Sequence, residues 1–77
     1  MDRDERVRRA VATALTEKQR EAIELFFFEG LSQSEIARRL GVSQQVVQKR
    51  IYGVERNGAR VGGALAKLRR ALASEER

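Results

Sequence analysis

Apolar residues recur every three or four positions along most of the chain, and polar or charged residues fill the intervals. This spacing is typical of amphipathic helices, and short polar residues that can cap a helix divide it into four or five segments. The chain is therefore predicted to be all-α, a small bundle of four to five helices forming a single domain over residues 1–77. Its parts are an N-terminal helix at residues 1–15, a central unit at 16–56 and a C-terminal helix at 59–75.

The first and last segments each carry one apolar stripe at helical spacing. The N-terminal stripe consists of Val7, Ala10, Val11, Ala14 and Leu15, and the C-terminal stripe consists of Val61, Leu65, Leu68 and Leu72. The two stripes either complete the core of a monomer or form the seam of a homodimer, and both alternatives are open from the sequence.

The second segment follows Thr16, a suitable N-cap, and is predicted to run from Glu17 to Glu29. Ile23 and Phe27, four residues apart, supply its apolar face. The run of one Leu and three Phe residues at 25–28 is too wide for one stripe, so at least one ring lies at the edge of the core or in an interface. Phe26 is the main candidate, either as an edge-of-core aromatic or as a hydrophobic contact for a partner protein.

The third segment has clear signals at both of its ends. Ser32 and Glu35 stand at capping-box spacing, in which each side chain accepts a hydrogen bond from the other residue's backbone amide. Gly41 ends the segment, because glycine readily adopts the positive φ angle of a tight turn. Ala37 provides the small side chain that is needed where two helices cross.

The fourth segment follows Ser43, a second N-cap, and is predicted to run from Gln44 to about Arg56. Asn57 and Gly58 provide a stop or turn after it. Two short capped helices joined by a glycine turn indicate a helix-turn-helix, which extends from Gln33 to Tyr52.

The charge balance indicates a polyanionic partner. The chain has 16 Lys and Arg against 11 Asp and Glu, a formal net charge of +5. Nucleic acid is favoured over a membrane, because the basic first helix lacks the large apolar face of membrane-surface helices. Cys and His are absent, which excludes thiol nucleophiles, imidazole bases and the usual zinc ligands. We expect no cofactor, no metal and no enzymatic activity, and a cytoplasmic, nucleoid-associated location.

The outer face of the fourth segment fits the major groove of double-stranded DNA. Gln bonds bidentately to adenine, Lys pairs with guanine or phosphate, and a Val methyl touches thymine. The predicted base-reading residues lie at the start of this recognition helix; they are Gln44, Gln45, Val46, Gln48 and Lys49. The predicted phosphate contacts come from basic and hydroxyl side chains and from helix N-termini; they are Ser32, Arg38, Arg39, Ser43, Arg50, Tyr52, Arg56 and Arg60.

The stretch from Leu15 to Ile51, LTEKQREAIELFFFEGLSQSEIARRLGVSQQVVQKRI, resembles region four of bacterial sigma factors. The lead-in LTEKQREAIEL, the join FEGLSQSEIA and the turn RLGVSQ carry the resemblance, and LuxR-type helix-turn-helix domains share much of it. The resemblance implies a domain that reads the promoter −35 element with the start of its recognition helix. Family members often place basic residues there. This helix offers three Gln and one Val, so its preferred DNA sequence is expected to differ or to be A·T-rich.

Two functions are consistent with this resemblance. The first is a stand-alone transcriptional regulator, bacterial or phage-like, because 77 residues leave no room for the domain that reads a −10 element and binds core polymerase. The interruption at residues 53–63 before the last helix also departs from the family. The second is a module that binds RNA polymerase or another protein through Phe26, its neighbours and the C-terminal helix, with the helix-turn-helix kept as a scaffold.

Overall fold

The computed structural model describes residues 2–75, which form five α-helices, one π-helical turn and one β-hairpin. The elements are α1 (Arg3–Ala14), α2 (Glu17–Ile23), a π-helical turn (Glu24–Phe28), α3 (Gln33–Leu40), α4 (Gln44–Tyr52), β1 (Val54–Arg56), β2 (Ala59–Val61) and α5 (Ala64–Glu75). The predicted all-α class is confirmed, with a small two-stranded sheet added. None of the helices in the described part of the chain is long and apolar enough to cross a membrane.

Side-chain caps set the starts of the first four helices. Asp2, Thr16, Ser32 and Ser43 each accept a hydrogen bond from a backbone amide in the first turn of their helix. At Thr16 and Ser32 the bond is reciprocated, because Gln19 and Glu35 accept from the backbone amide of the cap residue. The caps predicted from the sequence at positions 16, 32 and 43 are therefore confirmed.

The four largest fully buried side chains form the centre of the core and come from α2, α3 and α4. They are Ile23, Ile36, Val47 and Ile51. The apolar stripes of α1 and α5 pack against each other on this centre, with Val11 of α1 and Leu68 of α5 both buried. Most residues of both stripes therefore pack within one chain. Val61, predicted as part of the C-terminal stripe, instead lies on β2 and is 49% exposed, because the hairpin replaces the start of the predicted helix.

The π-helical turn changes which Phe faces the core. The amide of Glu29 donates to the carbonyl of Glu24 at 3.3 Å, five residues back. This wider turn brings Phe28, and not Phe27, back to the face of Ile23. Phe28 is half-buried, whereas Phe27 is 53% exposed. The prediction that Phe27 belongs to the apolar face was therefore wrong.

Phe26 lies at the edge of the core, as one of its two predicted roles required. Its ring is half-buried against the core cluster and makes an edge-to-face contact with Tyr52, with ring centroids 6.4 Å apart. The exposed aromatic of this run is its neighbour, Phe27.

The hairpin corrects two predicted boundaries. The recognition helix ends at Tyr52 and not near Arg56, and the C-terminal helix begins at Ala64 and not at residue 59. Asn57 and Gly58 have φ angles of 53° and 79°, the positive pair required at the centre of a type I′ turn. Three-residue strands on either side pair antiparallel, with Val54 opposite Val61, Glu55 opposite Arg60 and Arg56 opposite Ala59. The turn signal therefore closes a hairpin and does not simply stop a helix.

Candidate nucleic-acid interface

The turn between α3 and α4 places the two helices at a fixed angle. Gly41 adopts a left-handed conformation, with φ 69°, and the amides of Gly41 and Val42 both donate to the carbonyl of Ala37. Ala37 is buried at this crossing, as predicted. The Ser43 hydroxyl then accepts from the amide of Val46 at 3.2 Å and starts α4.

Helix α4 has one apolar face and one polar face. Val47 and Ile51 are completely buried, so they fix the rotation of the helix about its axis. The predicted base-reading side chains project away from this anchor. Gln44, Gln45, Gln48 and Lys49 are exposed, and Val46 is half-buried.

A cleft of about 440 Å³ lies between the outer face of α4 and the hairpin. Gln45, Gln48 and Lys49 form its helical side, and Glu55 and Arg60 lie on its hairpin side. Those two hairpin residues are directly opposite each other in the strand register, so they share one face of the sheet. The polar face of α4 is therefore bordered by a second element.

The predicted phosphate contacts at the two ends of α3 are exposed. Arg38 and Arg39, in the last turn of α3, border an open depression of about 310 Å³ together with Leu31 and Glu35. The backbone amide of Ser32, helped by its hydroxyl and then by Arg38 and Arg39, holds the pKa of Glu35 below its ordinary value. Ser32 lies at the N-terminus of this helix and Ser43 at that of the next.

The remaining predicted phosphate contacts do not all face solvent. Arg56 and Arg60 are exposed on the hairpin, whereas Arg50 and Tyr52 are half-buried. The ring of Tyr52 packs against Phe26 and the core. Arg60 donates from Nη1 to the Tyr52 carbonyl at 3.3 Å, at the end of α4 where a cation is favourable because the helix dipole is negative there.

Two arginines of α5 join the basic surface and were not identified from the sequence. Arg69 and Arg70 line one groove of about 370 Å³ together with Arg60 of β2. In the sequence they are the adjacent arginines of LAKLRRAL, which lie outside the apolar stripe of α5 and so are expected on its exposed side. The pair could not be connected to α4 by spacing, because the intervening hairpin was not predicted.

The comparisons with known proteins gave one family match. A model of sigma-70 region 4 matches residues 5–52. Comparison with curated proteins gave no match, and comparison with solved structures gave none either. The matched segment ends where α4 ends, so the hairpin and α5 lie outside it.

Proposed function

The chain belongs to the sigma-70 region 4 family, and we propose that it is a transcriptional regulator that binds duplex DNA by itself and reads the sequence with α4. Membership supplies the general class, a DNA-binding helix-turn-helix domain. Beyond this class, the chain is proposed to recognise a specific DNA sequence and to act without a further subunit. The role is one of binding and not of catalysis.

The observation that carries this proposal is the outer face of α4. Four long polar side chains stand there, at positions 44, 45, 48 and 49, and none of them is buried in the core. Gln45 and Gln48 can each form a bidentate pair with adenine, and Lys49 can pair with guanine. Val46 lies at the edge of this face and is half-buried, and its methyl groups can touch a thymine methyl.

Phosphate contacts on both sides of α4 would hold the helix in register without reading sequence. Arg38 and Arg39 extend from the end of α3, and Arg56 extends from the hairpin. Arg50 is a further candidate. So are the helix N-termini at Ser32 and Ser43, since backbone amides there can bind an anion. Tyr52 and Arg60 already contact other parts of the protein. Each is proposed to bind phosphate only through the hydrogen-bond donors that these contacts leave unused.

The experiment begins with selection of bound sequences from random duplex DNA by the purified chain. Affinity for the selected site is then measured with Gln45→Ala, Lys49→Ala and Arg38→Ala variants over a range of salt concentrations. The first two should lose base discrimination, by about 1–3 kcal/mol at one position, whereas Arg38→Ala should weaken all sequences alike. Lys18→Ala, on exposed α2 surface, is the charge-matched control for Lys49→Ala. The proposal fails if the α4 substitutions leave DNA binding untouched at every salt concentration.

A specific groove favours a second candidate function, docking on RNA polymerase. Val7, Phe27, Phe28 and Leu72 line a groove of about 760 Å³ together with Arg3, Asp4 and Arg6. The Arg8 guanidinium lies 4.2 Å from the ring centre of Phe28, and Phe27 is exposed. An apolar groove with more basic than acidic residues at its rim suits an amphipathic polymerase segment that carries carboxylates.

Phe27→Ser separates this docking function from DNA binding. The variant should lose polymerase subunits in a pull-down from nuclease-treated lysate and should keep its affinity for the selected duplex. Val61→Ser is the matched control, because Val61 is also a large exposed apolar residue, at 49%, but lies on the hairpin. Equal recovery of polymerase by both variants would argue against the groove.

A further inference from the structure

Three arginines from two separate elements converge on one groove. Arg60 comes from β2, and Arg69 and Arg70 come from the exposed side of α5. The other three described residues that line it are small, namely Gly62, Ala66 and Ala73. Among the described residues, the lining thus carries three positive charges and no carboxylate, and the groove is open, with a volume of about 370 Å³.

The groove shares one lining residue, Arg60, with the cleft beside the recognition helix. Arg60 lines both depressions, on its one side with Gln45, Gln48 and Lys49 and on its other side with the α5 arginines. One guanidinium N–H of Arg60 is held by the Tyr52 carbonyl at 3.3 Å. Because a guanidinium has five N–H donors, this bond fixes the group at the end of α4 and leaves donors for an anion.

The chemistry of the lining favours phosphate. Arginine binds phosphate oxygens through paired N–H donors and is less strongly hydrated than lysine, so it gives up water at lower cost. Small residues between the arginines let a bulky anion approach the floor. An open groove that adjoins the cleft of the base-reading helix suits a continuous polyanion better than a small enclosed ligand.

We propose that Arg60, Arg69 and Arg70 bind the phosphodiester backbone of the same duplex, next to the segment that α4 reads. This inference rests on the proposed function, because it presupposes duplex DNA on α4. The hairpin and α5 then extend the DNA footprint beyond the helix-turn-helix, with α5 as a second, discontinuous part of the interface.

The test compares two double variants that each remove two positive charges. Arg69→Gln with Arg70→Gln removes the α5 side of the groove and keeps Arg60 of β2, with its bond to the end of α4. Arg9→Gln with Lys18→Gln is the control, on exposed positions of α1 and α2 that do not line the groove. Affinity for the selected duplex is measured across salt concentrations, phosphates are mapped by ethylation interference, and thermal melting checks the fold of each variant.

The groove variant should lower the slope of log K against log salt by about 0.9 for each lost phosphate contact, so by roughly 1–2 in all. It should also erase interference at phosphates beside the read segment and keep the ranking of base substitutions. The control should keep the interference pattern. If the two double variants behave alike while α4 substitutions still alter base preference, the groove inference is wrong and the proposed function stands. If the unaltered chain has no affinity for duplex DNA, both are wrong.

Discussion

The backbone of Gly63 packs directly on the backbone of Gly53. A Cβ built on Gly63 would lie 2.5 Å from the Gly53 nitrogen, and one built on Gly53 would lie 2.5 Å from the Val61 carbonyl oxygen. The two glycines are the residues immediately before β1 and shortly after β2, so their contact closes the base of the hairpin. This close approach sets the hairpin against the end of α4 and brings α5 back onto α1.

Gly63→Ala should therefore be much more destabilising than Gly62→Ala. Both residues have positive φ, 74° for Gly62 and 89° for Gly63, but a Cβ on Gly62 meets nothing within 4 Å. Gly62→Ala should therefore lose only the unfolding free energy that a positive φ costs an alanine, about 1–2 kcal/mol. Gly63→Ala should lose about 1–3 kcal/mol more, because its Cβ overpacks the contact. Urea denaturation of the two variants measures the difference. Equal free energies of unfolding would mean that the backbones do not pack as described.

The sequence predicted the starts of the first four helices well, because they depend on local chemistry. A cap is made by one side chain and an amide two or three residues away, so the positions of Thr16, Ser32 and Ser43 were enough to identify it. Gly41 and the buried Ala37 were likewise readable from spacing. These elements are also the part of the chain that the family model matches.

The hairpin and the π-helical turn were not predicted, because they depend on contacts that spacing does not reveal. Asn57-Gly58 was recognised as a turn, but the strands beside it are only three residues long and mostly exposed. Their place is set by the Gly53–Gly63 contact across the hairpin. The same holds for the candidate site. The outer face of α4 was predicted from helical periodicity, whereas the convergence of Arg60 with Arg69 and Arg70 becomes visible only in the three-dimensional structure.

Ile23→Ala and Phe27→Ala should separate the two residues that the sequence placed on one face. Ile23 is completely buried, so truncation should cost about 2–5 kcal/mol of unfolding free energy. Phe27 is 53% exposed because of the π-helical turn, and its truncation should cost less than about 1 kcal/mol. Chemical denaturation measures both. Similar losses for the two variants would indicate that Phe27 is buried, as in a regular α-helix through residue 28.

Glu35 should make stability depend on pH in the acidic range. Because its pKa is lowered in the folded state, chiefly by the Ser32 amide, the unfolded chain binds the proton first as the pH falls. The contribution of Glu35 is therefore present above its ordinary range, about pH 4, and is lost as the pH falls through the lowered value. Glu35→Gln should flatten this part of the profile, since Gln keeps the capping box without titrating. Thermal melting from pH 6 to pH 2.5 compares the two chains, and an unchanged slope in the variant would contradict the assignment.

The chain is expected to bind DNA as a monomer, because the residues at the centre of the α1 and α5 stripes are already buried within one chain. Val11 is 2% exposed and Leu68 is 4% exposed within one chain. Selected DNA should then contain one half-site and not a spaced palindrome, and light scattering should give a monomer mass. Val11→Asp distinguishes the two arrangements. In a monomer core it buries a charge, costs several kcal/mol and unfolds the protein, whereas in a dimer seam it would yield a folded monomer. Phe27→Asp, at an exposed position, is the control that should leave both the fold and the mass unchanged.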